Sequence, residues 1–223
     1  MSERILVVAA HADDEVLGCG GTMARHAEQG DQVRVVFLAD GVTARAGADA
    51  AELAQRKQAA EQAAAILGVA QLDWLGLPDN RLDQYGLLNI VQPLESIVSE
   101  FAPVRVYTHH GGDLNVDHRL AEQAVLTACR PQPGASVREI LAFEVLSSTG
   151  WGAADHRPFV PTTFVDIFPF LEQKLAALDA YADEMRLAPH ARSREGVLHL
   201  AGYRGTAVGM VAAEAFMQLR RLL

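Results

Sequence analysis

The stretch Ile5–Gly21 constrains this chain more than any other. An apolar run, Ile5–Ala10, stops abruptly at His11-Ala12-Asp13-Asp14-Glu15 and resumes as Val16-Leu17-Gly18-Cys19-Gly20-Gly21. A run of that length and composition reads as a strand buried on both faces, the kind found in parallel sheets. Asp13 or Asp14 is placed to cap the helix that follows, and its charge suits the positive end of the helix dipole. One imidazole and three carboxylates therefore fall together where α/β sheets place their sites, beyond the carboxyl end of a strand.

Crowding ionisable groups in this way is costly. Like charges repel, and a partly buried carboxylate without a counter-charge is strongly disfavoured. A divalent cation resolves both problems, and His and Asp are natural ligands for it. The plainer alternative is a polar helix start with an ordinary capping Asp. A second block, Tyr107-Thr108-His109-His110-Gly111-Gly112-Asp113-Leu114-Asn115-Val116-Asp117-His118-Arg119, argues against that alternative. It too follows a short strand candidate, Val104–Tyr107, and precedes a helical run, Leu120–Ala128. Two strand ends can be neighbours in a parallel sheet however far apart they lie in sequence. His118, with Asp117 beside it, is then able to supply a third ligand.

Together the two blocks resemble the PIG-L/LmbE-like family of zinc-dependent N-acetyl-sugar deacetylases, and the similarity runs through nearly the whole chain. Either motif alone would be weak. The resemblance implies a metal held by His11, Asp14 and His118, Asp13 as general base, and Arg56 on a helix that reaches the substrate pocket. The metal would be Zn²⁺, with Fe²⁺ suiting a two-His, one-Asp site as readily. The expected substrate is an N-acetyl amino sugar or glycoconjugate, alternatives being another sugar or thiol-sugar amide, or binding without turnover. Asp117 is expected to orient a neighbouring imidazole or His118 itself. Two positions depart from the family pattern. Ala12 replaces the usual proline, and Asn115 stands where an imidazole is expected three residues before the ligand His. His109 or His110 is then a candidate for that imidazole's role, and His110 and Asn115 join Arg56 as expected substrate contacts.

At 223 residues the chain suits one well-cored domain, spanning 1–223. The alternation of strand and helix signals predicts a Rossmann-like three-layer α/β/α fold with a mainly parallel sheet. Lys+Arg 19 against Asp+Glu 28 gives a net charge of −9, which repels rather than collects nucleic acid. No apolar run reaches membrane-spanning length. Cys19 and Cys129 match no paired motif and read as buried reduced thiols, which with the short lead into the first strand favours a cytoplasmic compartment. The apolar C-terminal third would permit a homo-oligomer.

Further elements follow in order. A helix over Val16–Gln29 closes at Gly30; its glycines do not have the spacing of a dinucleotide fingerprint. Gln32–Leu38 reads as a strand, Ala48–Leu67 as an Ala-rich helix, Gln71–Leu75 as a strand and Leu87–Phe101 as a helix. Asp40 is either a group facing the metal pocket or a turn residue. Ile140–Leu146 and Thr163–Ile167 are strand candidates, and Phe170–Ala182 is a helix candidate. Trp151 and His156 lie in an irregular rim segment, Trp151 being either a sugar-stacking face or core. Pro189–Arg194 is a basic loop in an acidic protein. Glu195–Arg204 and Val211–Arg220 read as helices, and the second is equally compatible with a strand.

Overall fold

The structure, a computed structural model, describes residues 2–44, 50–152 and 157–223. Its centre is β1 (Arg4–Ala9), which pairs in parallel with β2 (Gln32–Ala39) on one side and β4 (Arg105–His109) on the other. In β1 every residue after Arg4 is buried, as a strand inside a parallel sheet requires. Outward from this centre, β3 (Gln71–Leu77) pairs with β2 and β5 (Glu139–Phe143) with β4, all parallel. The sheet closes with two antiparallel pairings: β7 (Ala213–Arg221) runs against β5 and against β6 (Thr163–Asp166). The seven strands lie in the order β3-β2-β1-β4-β5-β7-β6.

Strand alternation divides the core into two layers. Ile5, Val7, Val33, Val35 and Phe37 meet apolar residues of α1 (Asp14–Glu28), α2 (Ala50–Leu67) and α5 (Leu171–Ala180). Leu6, Val8, Val36 and Leu38 meet α3 (Leu87–Phe101) and α4 (Val116–Ala128) through Ile90, Leu94, Ala121 and Val125. The last helix, α6 (Arg194–Thr206), packs near β7. The expected α/β/α architecture is therefore present.

Two expectations need correction and one open reading is decided. Val211–Arg220, compatible with a helix or a strand, is the strand β7: paired on both edges, it is held by its neighbours and not by local propensity. The strand expected to reach Leu146 ends at Phe143, and Glu144 beyond it is gripped in bidentate fashion by Arg204. The helix expected from Leu120 starts four residues earlier, at Val116, which puts Asp117 and His118 on its first turn. Of the helix expected over Ala48–Leu67, residues 48 and 49 lie outside the described residues, as does His156.

α1 is bent, and the bend explains a buried ion pair. Cys19 takes a non-helical conformation (φ −147°, ψ 26°), so the hydrogen-bond ladder breaks there. Glu214 of β7 accepts the freed amides of Gly21 and Thr22 at 2.9 and 2.7 Å. Lys174 of α5 donates to the freed Leu17 carbonyl at 2.9 Å and to Glu214 at 2.6 Å. Both halves of the broken turn are thus satisfied. Gly21 is required at this crossing, because a Cβ there would lie 2.7 Å from the side chain of Ile167.

Candidate active site

The site forms where β1 and β4, adjacent parallel strands, end side by side. The loop after β1 and the start of α1 deliver His11, Asp13 and Asp14; the end of β4, the loop after it and the first turn of α4 deliver His109, Asp113, Asp117 and His118. All of these are buried. One Asp14 carboxylate oxygen, Oδ2, lies 3.1 Å from His11 Nδ1 and 3.2 Å from His118 Nε2. His11, Asp14 and His118 each present one donor atom to a common point, all within 4.8 Å of one another. His118 Nε2 and Asp14 Oδ1 are buried without a hydrogen-bond partner among the described residues. Orphaned polar atoms of this kind, on residues already gathered at one point, are what a cation would satisfy.

The far side of each imidazole is held by a carboxylate. His11 Nε2 lies 3.0 Å from Asp79 and 3.1 Å from Asp117. His118 Nδ1 lies 3.3 Å from Asp113 Oδ2, which also accepts from the hydroxyls of Ser148 and Thr149. Carboxylates behind ligating imidazoles fix ring orientation and tautomer. Asp117 is itself anchored, accepting the amides of Asn80 at 2.7 Å and Leu82 at 3.0 Å. His11, Asp79 and Asp117 also form a second acid–imidazole group, but it shares His11 and uses that ring's opposite nitrogen. It reads as support for the first group rather than a separate ion site.

Charge in the pocket follows from this crowding. Burial works against a charged His118, yet Asp14 and Asp113 outweigh it and raise its pKa to about 9. His11 is raised in the same way against its burial, by Asp117, Asp14 and Asp79. Asp14, despite burial, is held well below the usual carboxylate range by His118 and His11. The pocket is built to favour positive charge among its acids.

Asp13 differs from its neighbour. Its backbone has φ 125° and ψ −30°, a conformation strained for any residue with a side chain. Glu15 Oε2 accepts the Asp13 amide at 2.9 Å and holds it there, while the Tyr181 hydroxyl donates to Glu15 Oε1 at 2.6 Å. Turned this way, Asp13 makes no side-chain cap on α1; Asp14 makes none either, its Oδ2 accepting from the His11 amide. Burial raises the Asp13 pKa to about 6, with Asp14 adding to the effect and Arg192 opposing it. Arg192 Nη1 donates to Asp13 Oδ2 at 2.9 Å.

The remaining expected site residues have other occupations. Arg56 donates to the carbonyls of Ala12 and Gly41 and pairs with Glu184, so its guanidinium braces the loop that carries Asp13. Asn115 caps α4, accepting the Asp117 amide at 2.8 Å, and donates to Asn80. His110 donates to the Arg157 carbonyl and lines a separate cleft with Phe159 and Arg204. His109, not His110, lies against the donor set: it stacks on His118 at 3.9 Å between ring centroids and accepts the Ala10 amide. Asp117, expected to orient an imidazole, does so for His11 rather than His118. Asp40 is a turn residue, its Oδ1 accepting from Val42 and Thr43. Trp151 is 58% exposed, edge-on to His190, and is therefore not core.

The sequence offers the polar loop Leu77–Asp83 as a sugar contact or a turn and the basic loop Pro189–Arg194 as a site for an anionic substrate part or a subunit contact, but it singles out none of Asp79, Asp113 and Arg192. Asp113 stood inside the second motif, where its proximity to His118 was a usable signal. Asp79 and Arg192 come from loops distant in sequence, and no spacing rule reaches them.

A mainly parallel sheet covered by helices on both faces, with a two-His, one-Asp group able to hold a metal ion at its carboxyl edge and a second carboxylate, Asp13, beside it, defines an α/β protein equipped for metal-assisted hydrolysis. Residues 6–129 match the family described as PIG-L, GlcNAc-PI de-N-acetylase. The chain belongs to that family. It is 33% identical over 180 residues to an uncharacterised deacetylase, YaiS, of Escherichia coli (strain K12), covering 78% of this chain and 88% of that protein. It is 29% identical over 239 residues to a 1D-myo-inositol 2-acetamido-2-deoxy-α-D-glucopyranoside deacetylase of Mycobacterium sp. (strain JLS), with 85% of this chain and 77% of that one covered. A 4-oxalmesaconate hydratase of Pseudomonas putida is 30% identical over 206 residues, covering 82% and 74%. Among solved structures, the N,N'-diacetylchitobiose deacetylase of Pyrococcus horikoshii shares the fold with a TM-score of 0.80 at 22% identity, over 98% of this chain and 84% of that chain. No helix among the described residues is long and apolar enough to cross a membrane.

Proposed function

We propose that the chain is a metal-dependent N-deacetylase that removes acetate from an N-acetylated amino sugar or glycoconjugate. The observation that carries this is the division of labour between adjacent acids: Asp14 joins the two imidazoles, while Asp13, twisted away from them, is held by Arg192 as a separate base. His11, Asp14 and His118 would hold the ion, and two nitrogen donors with one carboxylate suit Zn²⁺ or Fe²⁺. Such an ion supplies Lewis acidity toward an amide carbonyl and acidifies water.

The residues do the rest. Asp13, with a pKa of about 6, is largely ionised at neutral pH yet basic enough to take a proton from attacking water and return it to the departing amine. Asp113 and Asp117 hold the two imidazoles in register and do not touch substrate. Exposed Trp151, beside His190, offers an aromatic face to a sugar ring. The cell compartment that fits buried, unpaired Cys19 and Cys129 is the cytoplasm.

The test is metal content and acetate release by wild type, Asp13→Asn, Asp14→Ala and His118→Ala, on N-acetylglucosamine, N,N'-diacetylchitobiose and an N-acetylglucosaminyl inositol. About one metal per chain is expected in wild type and Asp13→Asn, with acetate from wild type alone. The other two variants should lose the metal. A metal-loaded wild type silent on all acetyl sugars but active in hydrating an unsaturated oxo acid would replace this proposal with the chemistry of the hydratase relative.

A further inference from the structure

Besides an ion that polarises the carbonyl, amide hydrolysis gains from a positive hydrogen-bond donor at the oxygen that becomes negative when water adds to the carbonyl carbon. Among the described residues, two guanidinium groups stand near Asp13. Arg56 is spent: it has two backbone carbonyls and Glu184 as partners and is buried. Arg192 is not. Nη1 donates to Asp13 and Nε donates to the Ser147 hydroxyl at 3.1 Å, while Nη2 has no hydrogen-bond partner among the described residues. Its side chain keeps 22% of its surface open, against 4% for Asp13.

The surroundings fix this guanidinium in place. Its own backbone carbonyl accepts from Arg186, and its amide donates to His190 Nδ1 at 3.0 Å, so the loop before α6 is laced across its base. Ser147, the partner of Nε, neighbours Ser148, whose hydroxyl meets both Asp113 and His118 Nδ1. Arg192 therefore spans from the base Asp13 to the segment that steadies His118. A planar, always-charged fork with one arm held and one arm open is suited to gripping an oxygen beside a carboxylate.

We propose that Arg192 is a catalytic residue: Nη1 holds Asp13, and Nη2 donates to the acyl oxygen of the scissile amide. This rests on the deacetylase function proposed above. In the step it serves, the water oxygen bonds to the carbonyl carbon, one water proton passes to Asp13, and the carbonyl electron pair moves to oxygen under Arg192. The pair then returns, the C–N bond breaks, and Asp13 delivers its proton to nitrogen, leaving acetic acid and the neutral amine; the acid's hydroxyl proton then passes to the amine, giving acetate and the protonated amine.

The experiment compares wild type, Arg192→Met and Arg192→Lys as metal-loaded proteins. It reads kcat and KM for acetate release, metal content, melting temperature, and affinity for a glucosamine bearing a methylphosphonyl group in place of acetyl. That probe is tetrahedral and anionic at the reacting centre, so it reports on the developing charge without turnover. Arg192→Met should lose about 100-fold in kcat and a similar factor in probe affinity, with KM, metal content and melting temperature little changed. Arg192→Lys should recover part of both losses. Unchanged kcat and probe affinity in Arg192→Met would overturn the proposal. So would a rise in KM alone, or metal loss and melting in both variants, which mark a substrate-docking or purely structural residue. Should wild type release no acetate, the deacetylase function fails on its own, and equal probe affinity across the three proteins still decides against Arg192.

Discussion

Glu15 is the residue whose environment makes the sharpest solution prediction. Buried, and next to Asp13, its carboxyl is pushed from 4.5 up to about 8. The unfolded chain thus loses this proton near 4.5 and the folded chain near 8, so stability owed to protonated Glu15 is complete below 4.5 and is lost as pH rises through about 8. Glu15→Gln keeps an acceptor for the Asp13 amide and removes the ionisation. Its advantage over wild type should be small at pH 5 and grow to roughly 3–5 kcal/mol by pH 9, read from urea unfolding across pH. A constant difference would mean that Glu15 is ionised in the fold. Asp113 makes a second prediction at this scale. Asp113→Asn weakens the grip on His118 Nδ1 without removing a ligand, so metal affinity should fall about 10–100-fold in a competition titration with a chelator. Residue type and spacing marked the two strand ends as crowded with imidazoles and acids, and the family resemblance of the paired motifs singled out His11, Asp14 and His118 there. Arg192 was not, because its link to Asp13 crosses 179 residues and exists only in the folded chain.

At the scale of elements, the bend in α1 and its ion pair form one device. Lys174 and Glu214 come from α5 and β7, and each answers a backbone group that the break at Cys19 sets free. Removing only the cation leaves a buried carboxylate without its counter-charge, so Lys174→Met should cost roughly 3–5 kcal/mol by denaturant midpoint. Adding Glu214→Gln should recover part of that loss, since a neutral amide still accepts from one α1 amide and no longer buries a charge. A double variant less stable than Lys174→Met would count against this account. The helical pattern after Glu15 was legible, but the bend was not, since nothing in Gly18-Cys19-Gly20-Gly21 distinguishes a bent helix from a straight one. β7 stayed open between helix and strand for a related reason. Its start, Ala213-Glu214-Ala215-Phe216, sets one acid among small and apolar residues and fits either period, and pairing with β5 and β6 decides it. The start of α4 was placed late because Asn115, taken as a substrate contact, is its cap.

For the whole molecule, the donor set joins segments more than 100 residues apart, from the end of β1 to the first turn of α4. An ion bound there stabilises only the folded chain, because the unfolded chain does not bring His11 and His118 together. At free metal about 100-fold above the dissociation constant the gain is about 2.7 kcal/mol, which for a domain of this size raises the melting temperature by about 5–10 °C. Chelation should remove that increment from wild type and from Asp13→Asn but leave His118→Ala unmoved. The same binding must expel protons. The acids around His11 and His118 raise both imidazoles, His118 to about 9, so near pH 7 the metal-free pocket carries protons that ligation displaces. Affinity should therefore strengthen as pH rises from 6 to 8, and calorimetry in two buffers of different ionisation enthalpy should show between one and two protons released per ion. Binding with no proton release would mean that the imidazoles are already neutral, and the carboxylate frame around them would need another explanation.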